Sequence, residues 1–308
     1  MPIYIIGHKS PDLDSVAAAI SYANLKNKLA KKNVYEPAIA GKINGETVFA
    51  LKKFGFKTPK LLSNAKGKEI ILVDHNEASQ TVEGASEAKI NEVIDHHKVD
   101  FSYSEPIALN IVPWGSSCSI IAEEYWKNKI KIEKKLASLM LSAVLIDTVI
   151  TKSPTCTEKD KEIIKKLSKA SGIKDWKKFG LELFKIRANV KKLSAREIIK
   201  SDFKDFNLKS GKFGIGQVET VDLKEFEDKE EKILSELKTL KESENYHTTI
   251  LFITDIMNEG SKFLLSSSEP EKISQAFNAK FQNGEAYIKN ILSRKKQVVP
   301  MLMKIFDK

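Results

Sequence analysis

Ile3-Tyr4-Ile5-Ile6 is the first apolar run of the chain, and the polar loop Gly7-His8-Lys9-Ser10-Pro11-Asp12 follows it directly. A helical pattern then runs from about Asp14 to Lys31. Further apolar runs predict strands at Val34–Ala40, Ile70–Val73 and Glu92–Ile94, with a helical pattern between the second and third strands. The run Ile107–Val112 predicts another strand. Such alternation of strands and helices is typical of a parallel sheet covered by helices.

The pattern changes after four helical segments, which are Ser117–Lys127, Lys134–Leu145, Glu158–Ala170 and Asp175–Ala188. A short basic connection follows, and Ser194-Ala195-Arg196-Glu197 then has the spacing of a capping box. In that motif the serine and glutamate side chains satisfy exposed backbone amides at a helix start. We therefore predict a first domain over residues 1–188, a linker over residues 189–193 and a second domain over residues 194–308.

The predicted second domain mixes strands and helices. Its expected elements are a hairpin of Phe203–Lys209 and Lys212–Thr220, a long helix Asp222–Lys241, strands Thr248–Ile253 and Lys262–Ser266, and a helical stretch Ala286–Leu292. The fold class that we predict is α/β. It consists of an N-terminal domain with a parallel sheet flanked by helices, plus a smaller C-terminal α/β domain with a mixed sheet.

Composition narrows the class of protein but does not name a function. The 308 residues are 42% apolar and 30% charged, and no run approaches the 18 apolar residues of a membrane span. Only two cysteines are present, which favours a reducing cytoplasm and excludes a disulfide scaffold. The net charge of +10 comes almost entirely from lysines interleaved with glutamates. We interpret this charge as a solvated surface, with no nucleic-acid or membrane partner expected.

Four of the five histidines lie beside aspartates within the first hundred residues. They form three clusters, which are Gly7-His8 through Ser15, Asp74-His75-Asn76-Glu77 and Asp95-His96-His97-Lys98. Imidazole and carboxylate together select a borderline divalent ion such as manganese, cobalt or zinc. Each cluster follows a predicted strand, and a parallel sheet brings those strand ends side by side. Because there are more ligands than one ion needs, the clusters indicate a two-metal centre that acts on phosphate.

Each cluster also has a simpler structural explanation. Asp14 stands where an aspartate commonly caps a helix, and Asp74 could be an exposed residue at a strand end. Against the second explanation, a carboxylate that ends a buried strand is costly unless it is paired or bound to a cation. Adjacent histidines such as His96 and His97 are often surface residues. We interpret His247, which lies far from any carboxylate cluster, as structural.

Taken together, the clusters resemble those of the DHH phosphoesterase superfamily, named for the tripeptide Asp95-His96-His97. Within it, the chain resembles the family II, manganese-dependent inorganic pyrophosphatases over essentially its full length. Further matching segments are Asp147-Thr148, Lys152-Ser153-Pro154-Thr155, Asp202-Phe203-Lys204 and Ser293-Arg294-Lys295-Lys296-Gln297-Val298-Val299-Pro300. The resemblance implies a homodimer that hydrolyses pyrophosphate to two orthophosphates. It also implies two Mn²⁺ ions (or Co²⁺ or Zn²⁺) per subunit, with an additional Mg²⁺ ion arriving with the substrate.

The resemblance also implies a role for each site residue. His8 and Asp12 would bind one ion, Asp14, His96 and Asp147 the other, and Asp74 would bridge the two. Such a pair of ions stands about 3.5–4 Å apart, and a hydroxide held between them is the expected nucleophile. The residues expected to bind the substrate and stabilise the leaving phosphate are His97, Lys204, Arg294 and Lys295. Because the ions and the basic residues fall in different domains, closure about the linker is expected.

Two alternatives stay open at this point. Other enzymes of the superfamily act on oligonucleotides, cyclic dinucleotides or polyphosphate. The nucleotide-directed ones carry a Gly-Gly-His element where this chain has Arg294-Lys295-Lys296-Gln297. A basic nucleic-acid-binding or metal-storage protein is the second alternative, although the basic segments mostly lack the interleaved aromatic residues that nucleic-acid binding favours. Ser10, Leu13 and Ile146 depart from the usual family residues at positions where no metal ligand is expected.

Overall fold

The computed structural model describes residues 2–188 and 193–307. The chain divides into two compact units, residues 1–187 and 188–308. Of the predicted linker, residues 189–192 lie outside the described residues. The first unit carries a six-stranded sheet whose strands are all parallel, and the second carries a five-stranded mixed sheet. The predicted fold class is confirmed.

The N-terminal sheet has the strand order β3-β2-β1-β4-β5-β6. The elements up to residue 188 are β1 (Ile3–Ile6), α1 (Leu13–Ala30), β2 (Tyr35–Ile39), α2 (Gly45–Phe54), β3 (Lys60–Leu61), β4 (Glu69–Val73), β5 (Lys89–Asp95), β6 (Ala108–Ile111), α3 (Ser117–Lys127), α4 (Lys134–Asp147), α5 (Glu158–Ser171) and α6 (Trp176–Ala188). The strand order reverses between β1 and β4. Ligands of open α/β sheets bind at this kind of reversal, in the crevice beyond the carboxyl ends of the strands.

Helix α1 begins where the loop after β1 supplies a capping side chain. The Asp12 carboxylate accepts a hydrogen bond from the Ser15 amide at 3.0 Å, so Asp12 and not Asp14 caps this helix. Helix α4, against which α1 packs, is buried continuously from Leu136 to Ile146. Asp147 therefore ends a helix whose position the core fixes. Among the described residues, no helix combines the length and the apolar character needed to cross a bilayer.

The C-terminal sheet has the strand order β11-β10-β9-β8-β7 and is covered on both faces. Its elements are α7 (Ala195–Lys200), β7 (Phe203–Leu208), β8 (Gly211–Thr220), α8 (Glu230–Ser243), β9 (Thr248–Asp255), β10 (Gly260–Ser267), α9 (Pro270–Phe277), β11 (Glu285–Lys289), a π-helical turn (Arg294–Val298) and α10 (Val299–Phe306). Helices α7 and α8 cover one face, and α9 and α10 cover the other. The capping box predicted at Ser194 and Glu197 is confirmed.

Two helical predictions in this unit were wrong. The helix predicted from Asp222 begins only at Glu230, after two short 3₁₀ turns. Phe226 packs into the same core as α8, so its helical spacing reflects a shared core and not one continuous helix. The stretch Ala286–Leu292, predicted to be helical, contains strand β11 instead. Its backbone pairs antiparallel with the free edge of β10, and this pairing outweighs the local helical pattern.

Gly7 allows β1 and α1 to approach closely, and its replacement by alanine tests this contact. A β-carbon at Gly7 would lie 1.7 Å from the buried Ser15 Oγ, whereas one at Gly45 would meet nothing nearer than 4.0 Å among the described residues. We expect Gly7→Ala to lower the free energy of unfolding by about 1–3 kcal/mol through overpacking. Gly45→Ala, in the first turn of α2, should be neutral or stabilising. Urea unfolding in a metal chelator measures both variants, and equal effects would contradict this view of Gly7.

Candidate metal centre

The six residues predicted to bind metal come together at the carboxyl edge of the parallel sheet. Their ligand atoms form two groups, and within each group all ligand atoms lie within 4.8 Å of one another. One group is His8, Asp12 and Asp74, and the other is Asp14, Asp74, His96 and Asp147. These are the same two sets that the sequence resemblance implies, with Asp74 common to both. Ion binding by each residue stays a prediction.

Asp74 occupies the centre of the cluster. It follows β4 directly, has a positive φ of 64° and is 2% exposed. Its amide donates to the Ile94 carbonyl at 2.9 Å, which anchors this left-handed residue to β5. Asp74 Oδ2 lies 3.4 Å from His8 Nε2, and Oδ1 lies 3.3 Å from His96 Nε2. The two carboxylate oxygens therefore face different imidazoles, as a carboxylate that bridges two ions requires.

The loop after β5 is organised by the buried side chain of Asp95. Its Oδ1 accepts hydrogen bonds from the His96 amide at 2.7 Å and from His97 Nδ1 at 2.9 Å, and its Oδ2 accepts one from Asn76 at 2.6 Å. His96 Nδ1 donates to the Trp114 carbonyl at 3.0 Å. That bond leaves His96 Nε2 as the nitrogen available to a metal ion, which is the usual arrangement around a histidine ligand.

The start of helix α3 encloses the carboxylate of Asp14. Ser116 Oγ donates to Asp14 Oδ1 at 2.6 Å, the Ser117 amide donates to Oδ2 at 2.6 Å, and the Cys118 amide donates to Oδ1 at 3.0 Å. The Ser117 hydroxyl also donates to Asp74 Oδ1 at 3.1 Å. Sequence reasoning missed these three residues. Two serines at a predicted helix start were the available signal, but nothing in the sequence placed that helix beside Asp14.

The titration of the cluster reflects crowding of like charges. Burial and the nearby Asp74 charge raise the pKa of Asp14 to about 6, and burial with repulsion from Asp14 raises the pKa of Asp147 well above its usual range. Burial alone would raise the pKa of Asp74, but hydrogen bonds to His8 and His96 lower it. Burial alone would lower the pKa values of the two histidines, but hydrogen bonds to aspartates raise them to about 10 for His8 and about 9 for His96.

This donor set fits divalent ions of the manganese type. Two imidazoles and four carboxylates make a mixed nitrogen and oxygen set of borderline to hard ligands. Three of the carboxylates lie within 4.8 Å of one another in one group, where mutual repulsion disfavours ionisation. A divalent cation would relieve that repulsion. The nearby Cys118 is fully buried, burial raises the pKa of its thiol, and its sulfur belongs to none of the ligand groups among the described residues.

The four residues predicted to bind substrate fall into two places. His97 belongs to the first unit, where it joins a ligand group with Asp74, Asp95 and His96. Its side chain is half exposed, and the hydrogen bond to Asp95 raises its pKa. Lys204 on β7 and Lys295 in the π-helical turn are exposed in the second unit. Arg294 is buried there and is already paired with Asp202.

The hydroxyl of Ser117 provides a test of how the carboxylates are held. Removing it in Ser117→Ala should weaken Mn²⁺ binding by about 10-fold, because partners that orient metal ligands typically contribute about 10–100-fold. Ser119→Ala is the matched control. Ser119 is equally buried on the same helix, and its hydroxyl has no partner among the described residues. Titration calorimetry measures both affinities, and equal loss in the two variants would contradict an orienting role for Ser117.

Metal binding should release protons, because a metal ion needs the neutral form of both histidines. Their raised pKa values keep His8 and His96 protonated at pH 7 in the metal-free protein. We therefore expect two or more protons to be released per protein, and the apparent affinity for Mn²⁺ to rise from pH 7 to pH 8.5. Calorimetry in buffers of different ionisation enthalpy counts the protons. An affinity independent of pH over this range would contradict the expectation.

The chain is similar to known proteins over nearly its full length. The family model described as the DHH family, N-terminal domain, matches residues 2–144, and the model described as the DHHA2 domain matches residues 181–305. Manganese-dependent inorganic pyrophosphatases of Methanothrix thermoacetophila and Methanocaldococcus jannaschii are 45% and 43% identical, each over 99% of both chains. The crystal structure of a Methanococcus jannaschii protein described as a family II inorganic pyrophosphatase is 42% identical, covers 99% of both chains and has a TM-score of 0.64. The chain therefore belongs to the family of manganese-dependent, family II inorganic pyrophosphatases.

Proposed function

We propose that this protein hydrolyses inorganic pyrophosphate to two orthophosphates with divalent ions held by His8, Asp12, Asp14, Asp74, His96 and Asp147. The observation that carries the proposal is that Asp74 belongs both to the group of His8 and Asp12 and to the group of Asp14, His96 and Asp147. Two-metal sites are widespread in enzymes that displace a phosphate group, where they stabilise the attacking and the leaving oxygen. Sequence identities of 45% and 43% to pyrophosphatases, over 99% of each chain, support pyrophosphate as the substrate.

When bound, the ions would lower the pKa of water and neutralise the negative charge of the substrate. The protein's own residues then have positioning tasks. Asp74 would keep the two ions at a fixed separation, and the amides at the start of α3 would hold Asp14 in one orientation. His97, fixed through its Nδ1 by Asp95, would contact a phosphate oxygen beside the ions. Phosphoryl transfer depends mostly on such positioning and on electrostatic stabilisation.

The basic residues of the second unit would neutralise the leaving phosphate. Lys204 and Lys295 have exposed ammonium groups, and lysine acts toward phosphate as a mobile point charge. Arg294 can grip two phosphate oxygens at once when its guanidinium is free. We propose that residues 1–188 form the catalytic metal-binding domain and residues 194–308 the substrate-binding domain. The division of the chain near residue 188 supports these boundaries.

We further propose two Mn²⁺ ions per subunit, with Co²⁺ or Zn²⁺ as substitutes and an additional Mg²⁺ ion that arrives with the substrate. The division of the six proposed ligands into two groups that share Asp74 supports the number, and the names of the relatives support manganese. A homodimer is proposed from the resemblance of the sequence motifs, and a cytoplasmic location from the presence of only two cysteines. Pyrophosphate is the proposed small-molecule partner.

Phosphate release from pyrophosphate tests the function directly. The chelator-treated protein is loaded separately with Mn²⁺, Co²⁺, Zn²⁺ or Mg²⁺, and metal content is measured alongside activity. Parallel assays use long-chain polyphosphate, short oligonucleotides and a nitrophenyl phosphodiester. We expect pyrophosphate to be the preferred substrate in Mn²⁺. Preference for an oligonucleotide or for polyphosphate would replace the proposal with another activity of the DHH superfamily.

Two substitutions should separate metal binding from substrate binding. Asp74→Ala removes the shared carboxylate, so we expect lower metal content and a loss of turnover of at least about 10³-fold. Lys295→Ala should spare the metal content but raise KM for pyrophosphate about 10-fold through loss of one charged contact. Lys296→Ala, the exposed neighbour, is the matched control for Lys295. Normal metal content in Asp74→Ala, or metal loss in Lys295→Ala, would show that these roles are wrongly assigned.

A further inference from the structure

Both terminal nitrogens of the Arg294 guanidinium are hydrogen-bonded within the second unit. Its Nη2 donates to both oxygens of Asp202, at 2.7 and 2.8 Å, and its Nη1 donates to the backbone carbonyls of Asp202 and Ile215, at 2.5 and 3.1 Å. A carboxylate pairs with guanidinium through the same N–H groups that would grip a phosphate. Asp202 and a phosphate group therefore compete for the same nitrogen.

The two partners of this ion pair differ in their access to solvent. The side chain of Arg294 is 9% exposed, whereas that of Asp202 is 52% exposed. An anion that arrives from solution can therefore reach the Asp202 carboxylate more readily than the Arg294 guanidinium. Rotation of the half-exposed Asp202 side chain would release Nη2.

The backbone around Arg294 is held in place by its own contacts. Gln297 Oε1 accepts hydrogen bonds from the amides of Leu292 and Ser293, at 2.9 and 3.0 Å. Gln217 Nε2 donates to the Leu292 carbonyl at 3.1 Å. These contacts fix the π-helical turn, a form of helix that is frequent at functional sites. Since Nη1 is anchored to two backbone carbonyls, the guanidinium can stay in place while Nη2 changes its partner.

We propose that Asp202 is a positioning residue that occupies Nη2 of Arg294 between turnovers and gives it up to a phosphate group of the substrate. This inference rests on the proposed function, because it takes pyrophosphate as the anion that displaces Asp202. Because Asp202 competes with the anion for Nη2, the pairing lowers the apparent affinity of the protein for the anion. The apparent affinity equals the intrinsic affinity multiplied by the fraction of molecules in which Arg294 is free. After hydrolysis, Asp202 recaptures the guanidinium and assists release of product phosphate.

Asp202→Asn tests the competition in the full-length, Mn²⁺-loaded enzyme. A neutral amide is the weaker partner for guanidinium, so KM for pyrophosphate and the inhibition constant of inorganic phosphate should both fall, by about 3- to 10-fold. Asp202→Glu keeps the charge and should restore both constants toward wild type. Asp205→Asn is the matched control. Asp205 lies on the same strand, is 47% exposed and pairs instead with Lys212 at 2.9 Å.

A rise in either constant in Asp202→Asn would show that Asp202 supports anion binding and would overturn the inference, as would constants equal to those of Asp205→Asn. Should Asp202→Asn not fold, Asp202→Ser takes its place with the same expectation. Calorimetric titration of the full-length variants with inorganic phosphate alone decides the competition without turnover. If the wild-type enzyme is inactive toward pyrophosphate but Asp202→Asn binds phosphate more tightly than wild type, the proposed function is contradicted. The competition between Asp202 and phosphate is still supported in that case.

Discussion

The contact between the Asp74 carboxylate and two histidines, His8 and His96, is the interaction on which the site depends. It joins the ends of β1, β4 and β5, and β1 lies beside β4 because the sheet order reverses between them. A buried carboxylate at this position is unfavourable without opposite charge. The protein places two imidazoles against it and crowds further carboxylates around it. The fold thus concentrates negative charge at this position, and bound divalent ions would neutralise it.

Much of this arrangement was predictable from the sequence because the ligands follow short apolar strands. The end of a buried strand is a strong signal, and parallel strands bring such ends together whatever the loops between them contain. Asp12 and Asp14 were harder to separate, since either aspartate has the chemistry of a helix cap. Only the geometry shows that Asp12 caps α1 and that Asp14 points to the start of α3. Local sequence carries no information about a partner 103 residues away.

The errors in the second unit have a common physical cause. Phe226 lies in the core that also receives α8, and strand β11 completes the edge of a sheet. In both cases the apolar spacing along the sequence resembles that of a helix, but tertiary packing determines a different backbone conformation. The pairing of Arg294 with Asp202 was likewise invisible, although both residues stand in segments that had been singled out. Sequence motifs indicate which residues gather, but they do not indicate which partner each residue holds.

The helix-start contact between α3 and Asp14 also bears on when the site can assemble during synthesis. Every proposed ligand lies between His8 and Asp147, and the amides that hold Asp14 come from residues 117 and 118. On the ribosome, the complete cluster therefore has to wait for the end of α4 to emerge, but it needs no ligand from the C-terminal unit. A nascent chain halted just beyond α4 already contains every proposed ligand, and ions bound there would cross-link segments distant in sequence before the rest of the chain is made.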